Sequence, residues 1–364
     1  MRTIRVPGFA FILAVVALAA CKGEPTAPVP PPAASLAATE RNVTLNGAGA
    51  TFQYPLMTKW ASEYNRTNPA VRVNYQSIGS GGGIRQLVAG TVHFGSTDGP
   101  MTDAQLAEAK DPVLHVPVTL GAVAVVTHLP GVTQPLRLSG ELLAAIFLGR
   151  VTRWDDPAFA EANPGVALPS TPITVVRRSD GSGTTYIFVD YLAKVSPEWR
   201  AQVGVATSVD WPVGLGAKGN EGVAGQVKQT PGSIGYVELT YALQNGLPTA
   251  EVRNADGAFV APSVASVTAA AAGAAASMPD DLRVSITNAA GPGAYPISGF
   301  SWVVLRQVQA ACGVATPMVR FLSWAVHDGQ AFAPALHYAP LPEAVVARCD
   351  AKLASVTCEG RPAL

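Results

Sequence analysis

Ile173-Thr174-Val175-Val176-Arg177-Arg178-Ser179-Asp180-Gly181-Ser182-Gly183-Thr184-Thr185 is an apolar run that hands over to a turn of glycines, hydroxyls and charge. Ile173 to Val176 reads as a buried strand, and beyond the turn Tyr186, Phe188, Val189 and Leu192 recur at helical spacing. The stretch is therefore a strand-to-helix turn. The first turn of a helix leaves N–H groups unpaired and carries partial positive charge. Glycines admit close backbone approach, Ser and Thr add donors, and Arg178 adds a guanidinium. Together these make an oxyanion site.

The same handover recurs upstream. Val43-Thr44-Leu45 is strand-like, Gly47-Ala48-Gly49-Ala50-Thr51-Phe52 is a tight glycine turn, and Leu56, Met57 and Trp60 suggest a helix with Pro55 in its first turn. Val71 to Tyr75 alternates like a strand and runs into Ile78-Gly79-Ser80-Gly81-Gly82-Gly83, then into a helix carrying Ile84, Leu87 and Val88. Val92-His93-Phe94-Gly95-Ser96-Thr97-Asp98 follows, ending in an acid, and Thr102 stands as the cap of the next helix. Val113 to Val126 holds two strand-like runs around Gly121. Ser233 to Val237 and Ile297 to Leu305 read as strands; Leu138–Phe147, Thr268–Ser277, Met318–Val326 and 342–353 read as helices. Repeated strand-loop-helix units predict an α/β fold with mainly parallel sheets, whose ligands sit at the carboxyl ends of the strands.

Each loop alone is an ordinary helix cap. Three of them offering hydroxyls and free N–H groups, with Arg178, predict a converging dipolar cage. Asp98 looks out of place there, since a carboxylate accepts hydrogen bonds and gives none. It would reject an oxyanion without a proton and tolerate one that still has a proton to donate. Asp180 is placed to orient the Arg178 guanidinium or to cap its own helix.

The chain of 364 residues is long enough for two domains, with 48% hydrophobic and 14% charged residues. Lys and Arg total 25, as do Asp and Glu, and no basic patch of nucleic-acid type is visible, which excludes nucleic acid as the expected partner. Anion binding by such a chain must use local dipoles. Residues 1–20 carry Arg2 and Arg5 ahead of a short apolar core and lead into Leu18-Ala19-Ala20-Cys21, which reads as a lipoprotein signal peptide with lipidation of Cys21, the alternative being an ordinary signal peptide in which Cys21 is incidental. Residues 21–41 are rich in Pro and Ala and read as an extended tether. Cys312, Cys349 and Cys358 permit one disulfide and one free thiol; Cys349 with Cys358, or Cys312 with either, are all open.

Gly214-Leu215-Gly216-Ala217-Lys218-Gly219 fits a dinucleotide fingerprint by letter. It lacks the preceding strand and the downstream acid, so it reads as a tight turn into a helix. The histidines at 93, 115, 128, 327 and 337 are scattered without metal-ligand spacing, and no cofactor is expected.

Gly47 to Phe52, Ile78-Gly79-Ser80, Phe94 to Asp98 and Arg177 to Thr184 closely resemble the Pst-type phosphate-binding family, the solute receptors of a high-affinity bacterial phosphate ABC transporter. Trp211 to Gly216, Pro231 to Glu238 and Tyr338 to Pro342 extend the resemblance toward the closing helix. It implies a two-lobed periplasmic-binding-protein fold of type II, each lobe a mixed sheet flanked by helices, with 42–117 and 297–364 in one lobe and 118–296 in the other. It implies phosphate held in the cleft by Thr51, Phe52, Ser80, Asp98, Arg178, Ser182, Gly183 and Thr184, with Asp180 supporting Arg178. It further implies a monomer in the periplasm, lipid-anchored, that also takes arsenate and passes phosphate to a membrane-embedded ABC permease without acting as an enzyme. The rival expectations are a phosphatase or esterase using Ser182 or Ser80, and a sensor or adhesin on the same scaffold.

Overall fold

The computed structural model describes residues 42–364; the signal segment, Cys21 and the proline-rich tether lie outside them. Eight strands form the main sheet: β1 (Val43–Gly49), β2 (Val71–Ser77), β3 (Phe94–Thr97), β4 (Val113–His128), β5 (Thr174–Arg178), β6 (Leu215–Ala217), β7 (Ser233–Glu238) and β8 (Ser298–Arg306). Their order across the sheet is β2-β1-β3-β8-β4-β7-β5-β6. β1 runs parallel to both β2 and β3, and β5 runs parallel to both β6 and β7. Between these parallel trios, β8 is antiparallel to β3 and β4, and β4 is antiparallel to β7. The α/β class holds, and the sheet is mixed rather than mainly parallel, because two central strands reverse direction.

The two runs expected around Gly121 are a single strand. β4 is 16 residues long and buried from Leu114 to Thr127, the continuous apolarity of a strand covered on both faces. It pairs with β8 from Val113 to Ala122 and with β7 from Val123 to His128. At about 3.3 Å per residue it extends about 53 Å, which lets one strand carry both halves of the sheet.

Helices follow the strands as the handovers predicted: α1 (Tyr54–Thr67), α2 (Ser80–Ala89) and α3 (Gly183–Val195) come directly after the turns that leave β1, β2 and β5. The segment with the dinucleotide-like lettering is β6 and the start of α4 (Gly219–Gln229), and β7 leads into α5 (Leu239–Gln244). The alanine-rich stretch is two short helices, Val264–Ala271 and Ala274–Ser277, which bury Val267, Ala270, Ala271 and Ala274. Thr102 closes a reciprocal capping box with Gln105. The carboxyl ends of β1, β2, β3, β5 and β6 all deliver their loops to one region.

The disulfide joins Cys312 to Cys358, and Cys349 is free and buried. Strand 357–358, beside the bond, pairs with 308–309 and 361–362 in a small separate sheet. With a sequence separation of 46 residues, chain-entropy reasoning puts the bond's stabilisation at roughly 4 kcal/mol. Cys312→Ala should accordingly lower the free energy of urea unfolding by about 2–4 kcal/mol. Burial pushes the Cys349 thiol up to about 12, so thiol reagents should leave it unmodified until the chain unfolds.

Candidate functional site

Thr51 and Phe52 lie in the turn between β1 and α1, and three tyrosines fix that turn by its carbonyls. Tyr75 Oη donates to Ala50 O at 2.8 Å, Tyr241 Oη to Thr51 O at 2.7 Å, and Tyr338 Oη to Phe52 O at 2.6 Å. Holding the carbonyls outward turns the adjoining peptide N–H groups the other way. The Phe52 N–H has no acceptor among the described residues. Phe52 itself is fully buried. None of these tyrosines was legible as a site residue, because each reaches the turn from a distant part of the chain.

Ser80 opens α2, after Gly79 in a positive-φ conformation (φ 85°). A side chain at Gly79 would run into the Asp180 carboxylate, so glycine is required there by both backbone and space. Ser80 Oγ accepts the N–H of Gly183 at 3.0 Å and the N–H of Asp98 at 3.3 Å. One hydroxyl thus ties the starts of α2 and α3 to the end of β3. Gly81 N–H reinforces the approach by donating to Gly181 O at 3.0 Å. Gly183 packs so closely on Asp98 that a Cβ would lie 2.5 Å from the Asp98 nitrogen.

Asp98 is 1% exposed. Ser301 Oγ donates to its Oδ1 at 2.6 Å. Ser301 sits at the irregularity in the β8–β4 pairing, between Ser301 and Trp302, where a bulge re-aims a strand side chain. Burial pushes the Asp98 carboxyl up to about 7, against the lowering effects of Ser301, the Arg178 charge and Ser80. The sequence reading took Asp98 as a plain carboxylate; in this packing its proton is balanced near neutral pH.

Arg178 ends β5 with a side chain 1% exposed. Its Nε donates to Asp180 Oδ1 at 2.8 Å and its Nη2 to Asp180 Oδ2 at 2.5 Å. Of the two roles expected for Asp180, orientation of the guanidinium is the one observed. Asp180 also accepts the Gly219 N–H at 3.1 Å, tying the turn to α4. Burial works against the Asp180 charge, but the Arg178 hydrogen bonds and charge outweigh it and hold the carboxyl below its ordinary value. Ser182 is the cap of α3: its Oγ accepts the Thr185 N–H at 3.0 Å, and its own N–H is spent on Thr207 O at 2.8 Å. Only its hydroxyl proton is left for a ligand. Thr184 Oγ1 accepts from Arg178 Nη1 at 3.4 Å, and the Thr184 N–H has no acceptor among the described residues.

Two further residues belong to this network. Asn220, fully buried at the start of α4, donates from Nδ2 to Thr51 Oγ1 at 2.8 Å and to Thr184 Oγ1 at 3.1 Å. A fourth helix N-terminus therefore joins the three expected. Glu238, at the end of β7, is fully buried and accepts the Thr240 N–H at 3.0 Å, with Tyr338 Oη 3.1 Å away. Burial pushes its carboxyl up to about 8. The eight candidate ligand residues are thus buried in one region: Ser80 bridges Asp98 and Gly183, Arg178 reaches Thr184, and Asn220 joins Thr184 to Thr51. The site is a lining of N–H and hydroxyl donors with one cation, the chemistry of an oxyanion receptor.

A family profile described as a PBP superfamily domain matches residues 34–328. The chain is 46% identical over 316 residues to the phosphate-binding protein PstS of Xylella fastidiosa strain 9a5c, covering 86% of each chain. It is 44% identical over 319 residues to PstS of Pasteurella multocida, covering 87% of this chain and 92% of that one. The chain belongs to the PstS family. Its fold superposes with a TM-score of 0.68 on a high-affinity periplasmic phosphate-binding protein solved with phosphate, at 24% identity, covering 85% of this chain and 93% of that one. The PstS-type fold is therefore established here by sequence and by shape, as the resemblance implied.

The two raised carboxyls give this packing a pH dependence. Their protonated forms are favoured by burial, so the stabilisation is complete below the ordinary carboxylate range. It is lost as pH rises through about 7 for Asp98 and about 8 for Glu238. Thermal midpoints of the anion-free protein should fall from pH 5 to 8.5. Asp98→Asn should flatten the lower part of that fall and Glu238→Gln the upper part.

Proposed function

We propose that the chain is a phosphate receptor that binds inorganic phosphate in this buried network and delivers it to a membrane-embedded ABC permease. The observation that carries the reading is the convergence of Thr51, Phe52, Ser80, Asp98, Arg178, Ser182, Gly183 and Thr184 from four loops into one donor-lined site. Thr51, Ser80, Ser182 and Thr184 give hydroxyls, Phe52 and Thr184 give N–H groups that have no acceptor among the described residues, Gly183 gives an N–H that has to be shared with or released from Ser80 Oγ, and Arg178 gives the charge. Asp98 takes the phosphate proton. Residues 42–117 with 297–364 form one lobe and 118–296 the other, and the cleft between them closes on the ion. β4 supports a crossover close to this division, exchanging β8 for β7 as its partner after Ala122, five residues past the 117/118 boundary. Residues 1–20 are removed, and lipid on Cys21 holds a monomer at the membrane, in the periplasm, through the 21–41 tether. Arsenate, with the same shape and protonation, binds as a mimic.

The protein acts by binding rather than catalysis. Ser80 Oγ is engaged by two backbone N–H donors with the Asp98 carboxyl beside it, and Ser182 Oγ by the helix it caps; among the described residues no histidine is bonded to either, so neither has the oriented histidine base of a nucleophilic pair. Water exclusion strengthens the neutral donors enough to hold a multiply charged ion.

Calorimetric titration at pH 8 should give micromolar or tighter phosphate binding with sulfate inert; absence of phosphate heat overturns the reading. A chromogenic phosphate ester should remain uncleaved. Asp98→Asn should narrow the phosphate-to-sulfate ratio by roughly tenfold or more, because the amide gives sulfate a donor where the carboxylate gave only repulsion. In the wild type the ratio should also narrow as pH falls through about 7, since Asp98 then gains its own proton. A ratio indifferent to both changes would remove Asp98 from the selectivity account.

A further inference from the structure

Asn220 is a positioning residue that fixes which way two ligand-binding hydroxyls point; so we infer from its four hydrogen bonds, resting on the phosphate-receptor reading above. The amide orientation follows from the bonds themselves. The Glu238 N–H, which can only donate, lies 3.0 Å from Asn220 Oδ1. The oxygen must therefore occupy that side, which leaves Nδ2 toward Thr51 Oγ1 at 2.8 Å and Thr184 Oγ1 at 3.1 Å. The two protons of the amide nitrogen serve one hydroxyl each.

A hydroxyl accepts through two lone pairs and donates through one proton. Thr51 Oγ1 accepts from Asn220 Nδ2 and also from the Asn220 backbone N–H at 3.3 Å. Thr184 Oγ1 accepts from Asn220 Nδ2 and from Arg178 Nη1 at 3.4 Å. With both lone pairs of each oxygen engaged, the hydroxyl proton has to leave in the remaining direction, away from its donors. Both threonines are thus set as donors before any anion arrives. Such preorganised donors need no reorientation on binding.

A residue that accepted at this position would do the reverse. Asparagine and aspartate have nearly the same shape, and aspartate would still take the Glu238 N–H. Its second oxygen, however, would draw the protons of Thr51 and Thr184 toward itself and present acceptor lone pairs to the ligand. An aspartate would also add a charge that repels the anion, so the two effects must be separated. Removing the hydroxyls separates them. In a Thr51→Val, Thr184→Val background the charge effect of Asn220→Asp persists, and the hydroxyl-orientation effect has nothing to act on.

The test is phosphate titration of the four proteins in that cycle, with thermal melts of each in phosphate-free buffer to confirm folding. Asn220→Asp should weaken phosphate binding by about a hundredfold or more in the wild-type background. In the Val, Val background it should cost at least about tenfold less than that, a non-additivity expected only of groups acting as one unit. Asn220→Ala provides a second cycle without an added charge. It should cost about tenfold in the wild-type background, and little in the Val, Val background. Equal costs in the two backgrounds, in both cycles, would overturn the inference and leave Asn220 a packing residue. Failure of the wild type to bind phosphate would sink the receptor reading itself, and is distinguished by that titration alone.

Discussion

Arg178 lies with its side chain 1% exposed, and a guanidinium in that position must have its charge answered within the protein. Asp180, two residues on, answers it with a two-point contact that leaves no freedom of rotation. The same carboxylate takes the Gly219 N–H and so fixes where α4 begins. Because α4 begins there, Asn220 comes within reach of both Thr51 and Thr184. The remaining guanidinium protons are left for the ligand side. One ion pair therefore determines the direction of the charge, the start of a helix and, through that helix, the orientation of two hydroxyls.

Around this pair the site is nearly neutral by construction. Burial keeps Glu238 protonated up to about 8 and brings Asp98 to balance at about 7. The rest of the lining is amide and hydroxyl. Positive potential comes from the starts of α1, α2, α3 and α4, whose dipoles need no counter-ion and no desolvation of a formal charge. A cage of lysines would supply more attraction and would also repel itself when brought together. Neutral donors allow the loops to pack against one another directly, as Ser80 Oγ does with Gly183 and Asp98.

The local rules of the chain made the loops legible. Gly-Ser and Gly-Thr runs between an apolar strand and a helical repeat announce an exposed helix N-terminus wherever they occur, and Thr51, Ser80, Gly183 and Thr184 were found that way. Asp98 was found as a conflict, an acid among donors. The residues that orient them were not legible, because their contacts span long separations. Tyr338 reaches Phe52 across 286 positions, and Ser301 reaches Asp98 across 203. Ser301 has the added disguise of a bulge, so alternation along β8 does not report where it points. The mixed sheet came only from the family resemblance, and the strand-loop-helix pattern by itself pointed to a mainly parallel one, because apolar runs identify strands but carry no sign of direction. The cysteine pairing needed the small sheet that joins 308–309 to 357–358 and brings Cys312 beside Cys358.

Asn220 stands one residue past the glycine run Gly214 to Gly219, whose spacing does not report it. Glycine spacing reports where backbone can approach a ligand. It says nothing about the polarity of the hydroxyls already there, and a hydroxyl is a donor or an acceptor according to its neighbours. A site rich in Ser and Thr is ambiguous until those neighbours are known. Thr51 and Thr184 each stand beside donors alone, Asn220 Nδ2 for both, with the Asn220 N–H for one and Arg178 for the other. That surrounding makes the threonines equivalent to two further N–H groups. Asp98, held by Ser301 Oγ and beside Ser80, has the opposite polarity to these threonines. On the receptor reading proposed above, specificity would be a property of the second layer as much as of the first: Asn220 would make the hydroxyls uniform, and that uniformity would let a single carboxylate discriminate.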